Sequence, residues 1–291
     1  MSIYNFLRNI LGDRTTGTFS FSPFSLCHII YFILVIAAIV VVAFLFKNKS
    51  QEAKTKLINT TVTIALFLYI ADFFLMPISH GDINIDKLPF HLCTSMSIMC
   101  VLSRNNKFFA KYKTAFTLLG LIGALMYLVY PSGVSTPNGD FFDGYTYRII
   151  QTVLYHGLMI AQGIFAIIFK EIDLSWKSFE NDVIIILCLA LWAMFGNTIY
   201  SGTVEVKCTC SKECTETVYT YLNDFNWFFV KHDALYIIPD DIDVYFAPFA
   251  MVIVISGMSA LIRFLSNLLL NKFSKPELVT TTEENITEEQ K

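Results

Sequence analysis

Four side chains in apolar surroundings could do chemistry together: His91, Cys93, His156 and Asp72. Hydrocarbon solvates ionisable groups poorly, so each one inside a membrane span is a functional candidate by default. A thiol, an imidazole within reach and a carboxylate to orient it are the residue types that nucleophilic acyl transfer requires. An imidazole with a carboxylate alone could instead activate water. A second group of polar residues, Gln151, Asn197 and Asn226, lies close enough in the predicted topology to contact a substrate. No Cys or His spacing forms a metal-binding motif, and nothing in the sequence calls for a cofactor.

These residues have to be positioned by membrane helices. The chain has 291 residues, 55% of them hydrophobic and only 15% charged. Soluble domains carry about a quarter charged residues. A net charge of −3 gives no sign of nucleic-acid binding. Seven hydrophobic segments read as spans: Leu26–Phe46, Leu57–Ile78, Leu88–Leu102, Thr114–Tyr130, Tyr147–Phe169, Val183–Tyr200 and Tyr245–Leu270. Backbone groups in lipid must be satisfied internally, so the expected fold is all-α, a polytopic bundle of seven transmembrane helices. The third segment is short of the roughly 20 residues that a span needs.

Lysines and arginines set the expected orientation. Lys47, Lys49, Lys54 and Lys56 fill the first connection, and Arg104, Lys107, Lys111 and Lys113 fill the third. The opposite loops are poorer in such charges. The N-terminus is therefore expected outside and the C-terminus inside, in a multi-pass protein of the cell membrane. Residues 1–25 read as an interfacial or flexible leader, 26–270 as the transmembrane domain and 271–291 as a disordered acidic tail. The long 201–244 loop reads as an extracytoplasmic lid, with Trp227, Phe228 and Phe229 against the spans. Its Cys208, Cys210 and Cys214 could include a disulfide, Cys208 with Cys214 having the easier geometry.

Depth then groups the polar residues. His91 and Cys93 fall within about two turns of the outer surface, and His156 roughly 13 Å below it at about 1.5 Å per residue. Asp72, Gln151 and Asn197 lie on the same side, while His28 sits at the outer edge of its span. The inner half offers Thr60, Thr61 and Gln162, with Arg263 expected to snorkel. Pro89 is expected at the first helical position. In a regular helix His91 and Cys93 would then point to different sides, leaving Cys93–His156, His91–His156 and His91–Asp72 as the available pairs.

The run Leu88-Pro89-Phe90-His91-Leu92-Cys93 at the head of a span resembles the bacterial YwaF-type integral membrane family. His156-Gly157, Asn197 and Asn226-Trp227-Phe228-Phe229 are further points of similarity, over roughly residues 55–265. That family is distantly similar to animal transmembrane protein 164, an acyltransferase on ether phospholipids with a cysteine nucleophile and a histidine. The resemblance implies a lipid acyltransferase or lipid hydrolase using His156, His91 and Cys93, with membrane lipids as partners. In that relative the cysteine directly precedes the motif histidine, where this chain has Phe90. A transporter or small-molecule receptor using the same polar region, and a non-catalytic structural membrane protein, are the alternative readings. The sequence does not define an oligomeric state.

Overall fold

The structure, a computed structural model, describes residues 21–80, 87–131, 147–200, 202–207, 217–223, 227–229 and 240–273. Most of the leader, Asn226, the three loop cysteines and the acidic tail lie outside the described residues. The helices are α1 (Leu26–Phe46), α2 (Gln51–His80), α3 (Leu92–Asn105), the single-turn α4 (Lys107–Ala110), α5 (Lys113–Val129), α6 (Tyr147–Ile168), α7 (Phe179–Tyr200) and α8 (Asp240–Phe273). Among the described residues five stretches are long and apolar enough to cross a membrane: Leu26–Phe46, Gln51–Leu75, Ile149–Ile168, Trp176–Tyr200 and Tyr245–Leu270. The protein is a multi-pass helical membrane protein.

Helices α3 and α5, with 14 and 17 residues, fall short of that length. Their position explains why. Residues 115–124 of α5 are buried without a break, against α3, α6, α7 and α8. A helix walled in by other helices does not have to match the thickness of lipid. The outer helices carry the apolar surface instead. Only 11% of the apolar window of α1 is buried, against 67% of that of α6. Exposed Ile29, Ile33, Val40 and Phe44 give α1 a face suited to lipid.

Two polar anchors differ from the sequence reading. His28, expected to be merely interfacial, is buried: its Nδ1 accepts from the Phe24 amide (3.0 Å) and its Nε2 donates to the Leu128 carbonyl (2.7 Å). The Nε2 bond ties α1 to the end of α5, and the Nδ1 bond holds the backbone just before α1. Arg263, expected to snorkel, is fully buried. Its Nε and Nη2 grip the two carboxylate oxygens of Asp182 at 2.8 Å each, and Ser259 Oγ donates to the same carboxylate at 2.5 Å. Asp182 fell outside the predicted sixth span because that span was begun at Val183, whereas α7 starts at Phe179. Arg263 Nη1 also donates to Ser175 O and Ser178 Oγ, so one side chain fastens the turn before α7 to α8. Removing either partner of such a pair strands the other charge, at a cost of about 3–5 kcal/mol.

An antiparallel hairpin pairs β1 (Gly202–Lys207) with β2 (Thr217–Asn223), with Thr203 opposite Tyr221 and Lys207 opposite Thr217. The sequence reading held no strands here. Yet the β-branched and aromatic run Thr217-Val218-Tyr219-Thr220-Tyr221 is a strand signal.

At the basic end of the bundle Glu171 accepts from Lys113 Nζ (3.0 Å) and Thr55 Oγ1 (2.9 Å), joining the end of α6 to α5 and α2. Burial raises the affinity of the Glu171 carboxyl for its proton. The bonds from Lys113 and Thr55 outweigh this and hold it below the ordinary 4.5. A carboxyl depressed on folding stabilises the fold above its unfolded pKa and loses that contribution as pH falls through the folded value. Wild type should therefore melt above Glu171→Gln at neutral pH, and the gap should close as pH drops below about 4.5, as thermal unfolding in detergent at a series of pH values would show. A gap independent of pH would mean that Glu171 acts through its shape alone.

Candidate functional site

The segment before α3 is not helical. Helix α3 begins at Leu92, with His91 at the N-cap in extended conformation (φ −81°, ψ 153°), so Pro89 does not open the helix as expected. The competing interactions are visible. The Pro89 carbonyl accepts both Ser95 Oγ (2.6 Å) and Trp192 Nε1 (2.8 Å), which takes it out of any helical ladder. Phe90 is sandwiched between Trp192 (4.8 Å between centroids) and Trp227 (4.6 Å), both rings inclined 30° to it. Gly196 makes the sandwich possible: a Cβ there would lie 2.5 Å from the Phe90 ring. Residues 88–91 are thus clamped against α7, and His91 is delivered at the head of α3.

The clamp is closed by Asn197. Its Nδ2 donates to Trp227 O (3.2 Å) and its Oδ1 accepts from Trp227 N (2.9 Å), so its amide is committed to the backbone of the aromatic turn. Trp227 and Phe228 are buried, and the turn packs on α7 and α8. Phe228 and Phe229 both have positive φ (58° and 52°). Non-glycine residues in that region carry about 1–2 kcal/mol of strain each, which the Asn197 bonds and the burial of Trp227 offset.

His156 is held on three sides. Nδ1 lies 2.9 Å from the Thr152 carbonyl one turn earlier in α6. A carbonyl can only accept, so Nδ1 carries the proton and Nε2 is left as the acceptor nitrogen. The Tyr127 ring stacks on the imidazole at 3.8 Å and 12°, and Tyr155 meets it edge-on at 4.9 Å.

Cys93 packs on the same face of α5. A Cβ at Gly123 would lie 2.8 Å from Cys93 Sγ, so the thiol rests on the glycine. Gly123 carries the thiol and Tyr127 carries the imidazole, four residues apart on one helix. The two docking positions are therefore one turn apart, about 6 Å along the axis. Tyr155 ties them further by donating its hydroxyl to the Cys93 carbonyl (2.8 Å).

Asp72 is buried, with Lys87 Nζ 2.8 Å from its Oδ2. The approach lies off the direction a hydrogen bond requires, so the contact is an ion pair by distance. Tyr69 donates to the Lys87 carbonyl and stands 6.2 Å from the Tyr155 ring, which connects this pair to the histidine side. Gln151 is buried, donating to Leu68 O (3.3 Å) and accepting from Thr152 Oγ1 (3.1 Å). Sequence reasoning did not place Tyr127, Tyr155 or Lys87 at the site, Lys87 counting only as a loop cation; an aromatic in an apolar helix carries no signal until its neighbour across the bundle is known. A groove of about 600 Å3, lined by residues of α2 from Glu52 to Ile64, lies towards the other end of the protein. Among the described residues no cluster of three or more His, Cys, Asp or Glu could hold a metal ion.

The aromatic clamp should be sensitive to volume at Gly196. Gly196→Ala should lower the melting temperature by the equivalent of about 1–3 kcal/mol and alter the fluorescence of Trp192 and Trp227. Gly257→Ala, where a Cβ meets nothing within 4 Å, should do neither. Equal behaviour of the two variants would show that Phe90 is not wedged.

No curated protein and no solved structure matches the chain. The family model for the TMEM164 family matches residues 21–270. That stretch takes in the clamp, both histidines, Cys93 and all the long helices, and the chain belongs to the TMEM164 family.

Proposed function

We propose that the protein is a lipid-modifying membrane enzyme that transfers or hydrolyses an acyl group, with His156 as general base and Cys93 as nucleophile. The observation that supports this reading best is the fixed tautomer of His156: with Nδ1–H donated to Thr152, the acceptor Nε2 belongs to a ring docked one turn from the Cys93 thiol. In this reading Nε2 takes the thiol proton as sulfur attacks the ester carbonyl of a phospholipid. The tetrahedral intermediate collapses to a thioester and releases the lysolipid oxygen, which receives that proton. His91 offers a hydrogen bond to the oxyanion. Asp72 and Gln151 set the outer rim, and Asn197 and Asn226 belong to the lid side, the lid being residues 201–244. The proposed topology has seven crossings in the cell membrane, with the N-terminus outside, so that the site opens to the outer leaflet. The resemblance to the YwaF-type bacterial family belongs to the same reading.

Turnover of a phospholipid carrying a labelled acyl chain, in vesicles containing the purified protein, tests it. His156→Ala and Cys93→Ala should each reduce turnover by about 10³-fold or more if the two act as one unit. A Cys93→Ala variant retaining most activity, beside an inactive His156→Ala, would point to water as the nucleophile. Wild-type levels in both variants would end the enzymatic reading.

A further inference from the structure

The last turn of α3 holds a guanidinium with two nitrogens that have no hydrogen-bond partner among the described residues. Arg104 sits near the end of the 14-residue α3, roughly 20 Å along the axis from His91. Its Nη1 donates to the Cys100 carbonyl at 3.4 Å, a bond that competes with Ser103 Oγ for the same oxygen. Its Nε and Nη2 are buried and have no hydrogen-bond partner among the described residues. A guanidinium cannot shed its proton to escape this situation. Buried N–H groups left unpaired are costly, and more so when charged.

The two orphaned nitrogens are not an arbitrary pair. Nε–H and one Nη2–H point the same way and form the planar fork that takes two oxygens of a phosphate or carboxylate. Glu171 is close enough to feel the charge of Arg104, but its oxygens are already divided between Lys113 and Thr55. Along the chain more positive charge follows in the next turns, at Lys107, Lys111 and Lys113, the last paired with Glu171. Lys111 lies against the rings of Phe108 and Tyr112, with no acidic partner among the described residues. Helix α5 starts at Lys113 with Tyr112 at its N-cap and no side-chain cap bond, which leaves the positive end of that helix dipole facing the same basic end.

We propose that the Nε/Nη2 fork of Arg104 is a phosphate-binding site at the basic end of the bundle, opposite the histidines, and that its ligand is the phosphate of a lipid headgroup in that leaflet. The excess of cations suits an anionic headgroup, since clusters of Lys and Arg beside a membrane helix attract acidic lipids. The site is separate from the proposed chemistry and would exist in a protein with no enzymatic activity.

The test uses the full-length purified protein in non-ionic detergent and reads binding by the rise in melting temperature. Phosphatidylglycerol, phosphatidylcholine and inorganic phosphate are titrated in turn. Wild type should be stabilised by phosphatidylglycerol at lower concentration than by phosphatidylcholine. Arg104→Lys keeps the charge, loses the fork and is the variant least prone to misfold; it should weaken the effect about tenfold. Lys111→Gln, at an exposed position, should change it less than about twofold. If inorganic phosphate alone reproduces the shift and Arg104→Lys abolishes it, the phosphate site stands and its source is soluble, which overturns the headgroup assignment. Equal binding by wild type and Arg104→Lys would show a diffuse basic surface without a fork and overturn the site. So would the absence of a shift with any of the three ligands, the fork then being satisfied by water.

Discussion

Close approach of α3 and α6 to one face of α5 is the constraint on which the rest depends. That face presents Gly120, Gly123 and Tyr127 in succession. Gly120 lies under Met159, Gly123 under Cys93, and Tyr127 under His156. In lipid there is little hydrophobic gain from bringing two apolar helices together, so association rests on packing contacts and hydrogen bonds, and small residues allow both. A methyl group at Gly123 would collide with both Cys93 and Leu92. Gly123 therefore sets how closely the thiol of Cys93 can approach α5. The glycines also explain why α5 is buried so completely and can be shorter than a lipid-facing helix.

The second constraint is the clamp on residues 88–91. The sequence Leu-Pro-Phe-His could have begun a helix, and proline at the first position favours that. Aromatic stacking and two side-chain bonds to the Pro89 carbonyl override it. His91 consequently sits at the helix N-cap, where the argument that residues two apart face different sides does not apply. Asn197 makes the link from this clamp to the aromatic turn, since the same amide that closes on Trp227 holds two strained phenylalanines in place.

Much of the fold was legible because hydrophobic length is a local property. The helices α1, α6 and α7 begin or end close to their predicted limits, and the shortness of α3 was visible before its burial explained it. Pairings between distant residues were not legible. Asp182 and Arg263 are 81 positions apart, and His28 and Leu128 are 100 apart. Nothing in either local stretch announces its partner. Arg263 alone looked like an interfacial arginine because its counter-charge stood just outside the predicted span. For the candidate site, depth brought the ionisable residues to the same half of the bundle. The tyrosines that fix their orientation emerged only from the packing. Of the residues picked from the sequence, Cys93 from α3 and His156 from α6 pack against adjacent turns of one face of α5, whereas Asn197 is engaged elsewhere.

The central claim is that Cys93 and His156 act as a pair on an acyl group. Its most direct test is the intact mass of the protein after brief incubation with a phospholipid bearing a labelled acyl chain. The account predicts one added acyl group, released by hydroxylamine, mapped to the peptide containing Cys93, and lost in His156→Ala. Turnover with no adduct under any quenching condition, or an adduct on Cys27 or Cys188 that is indifferent to His156, would contradict it.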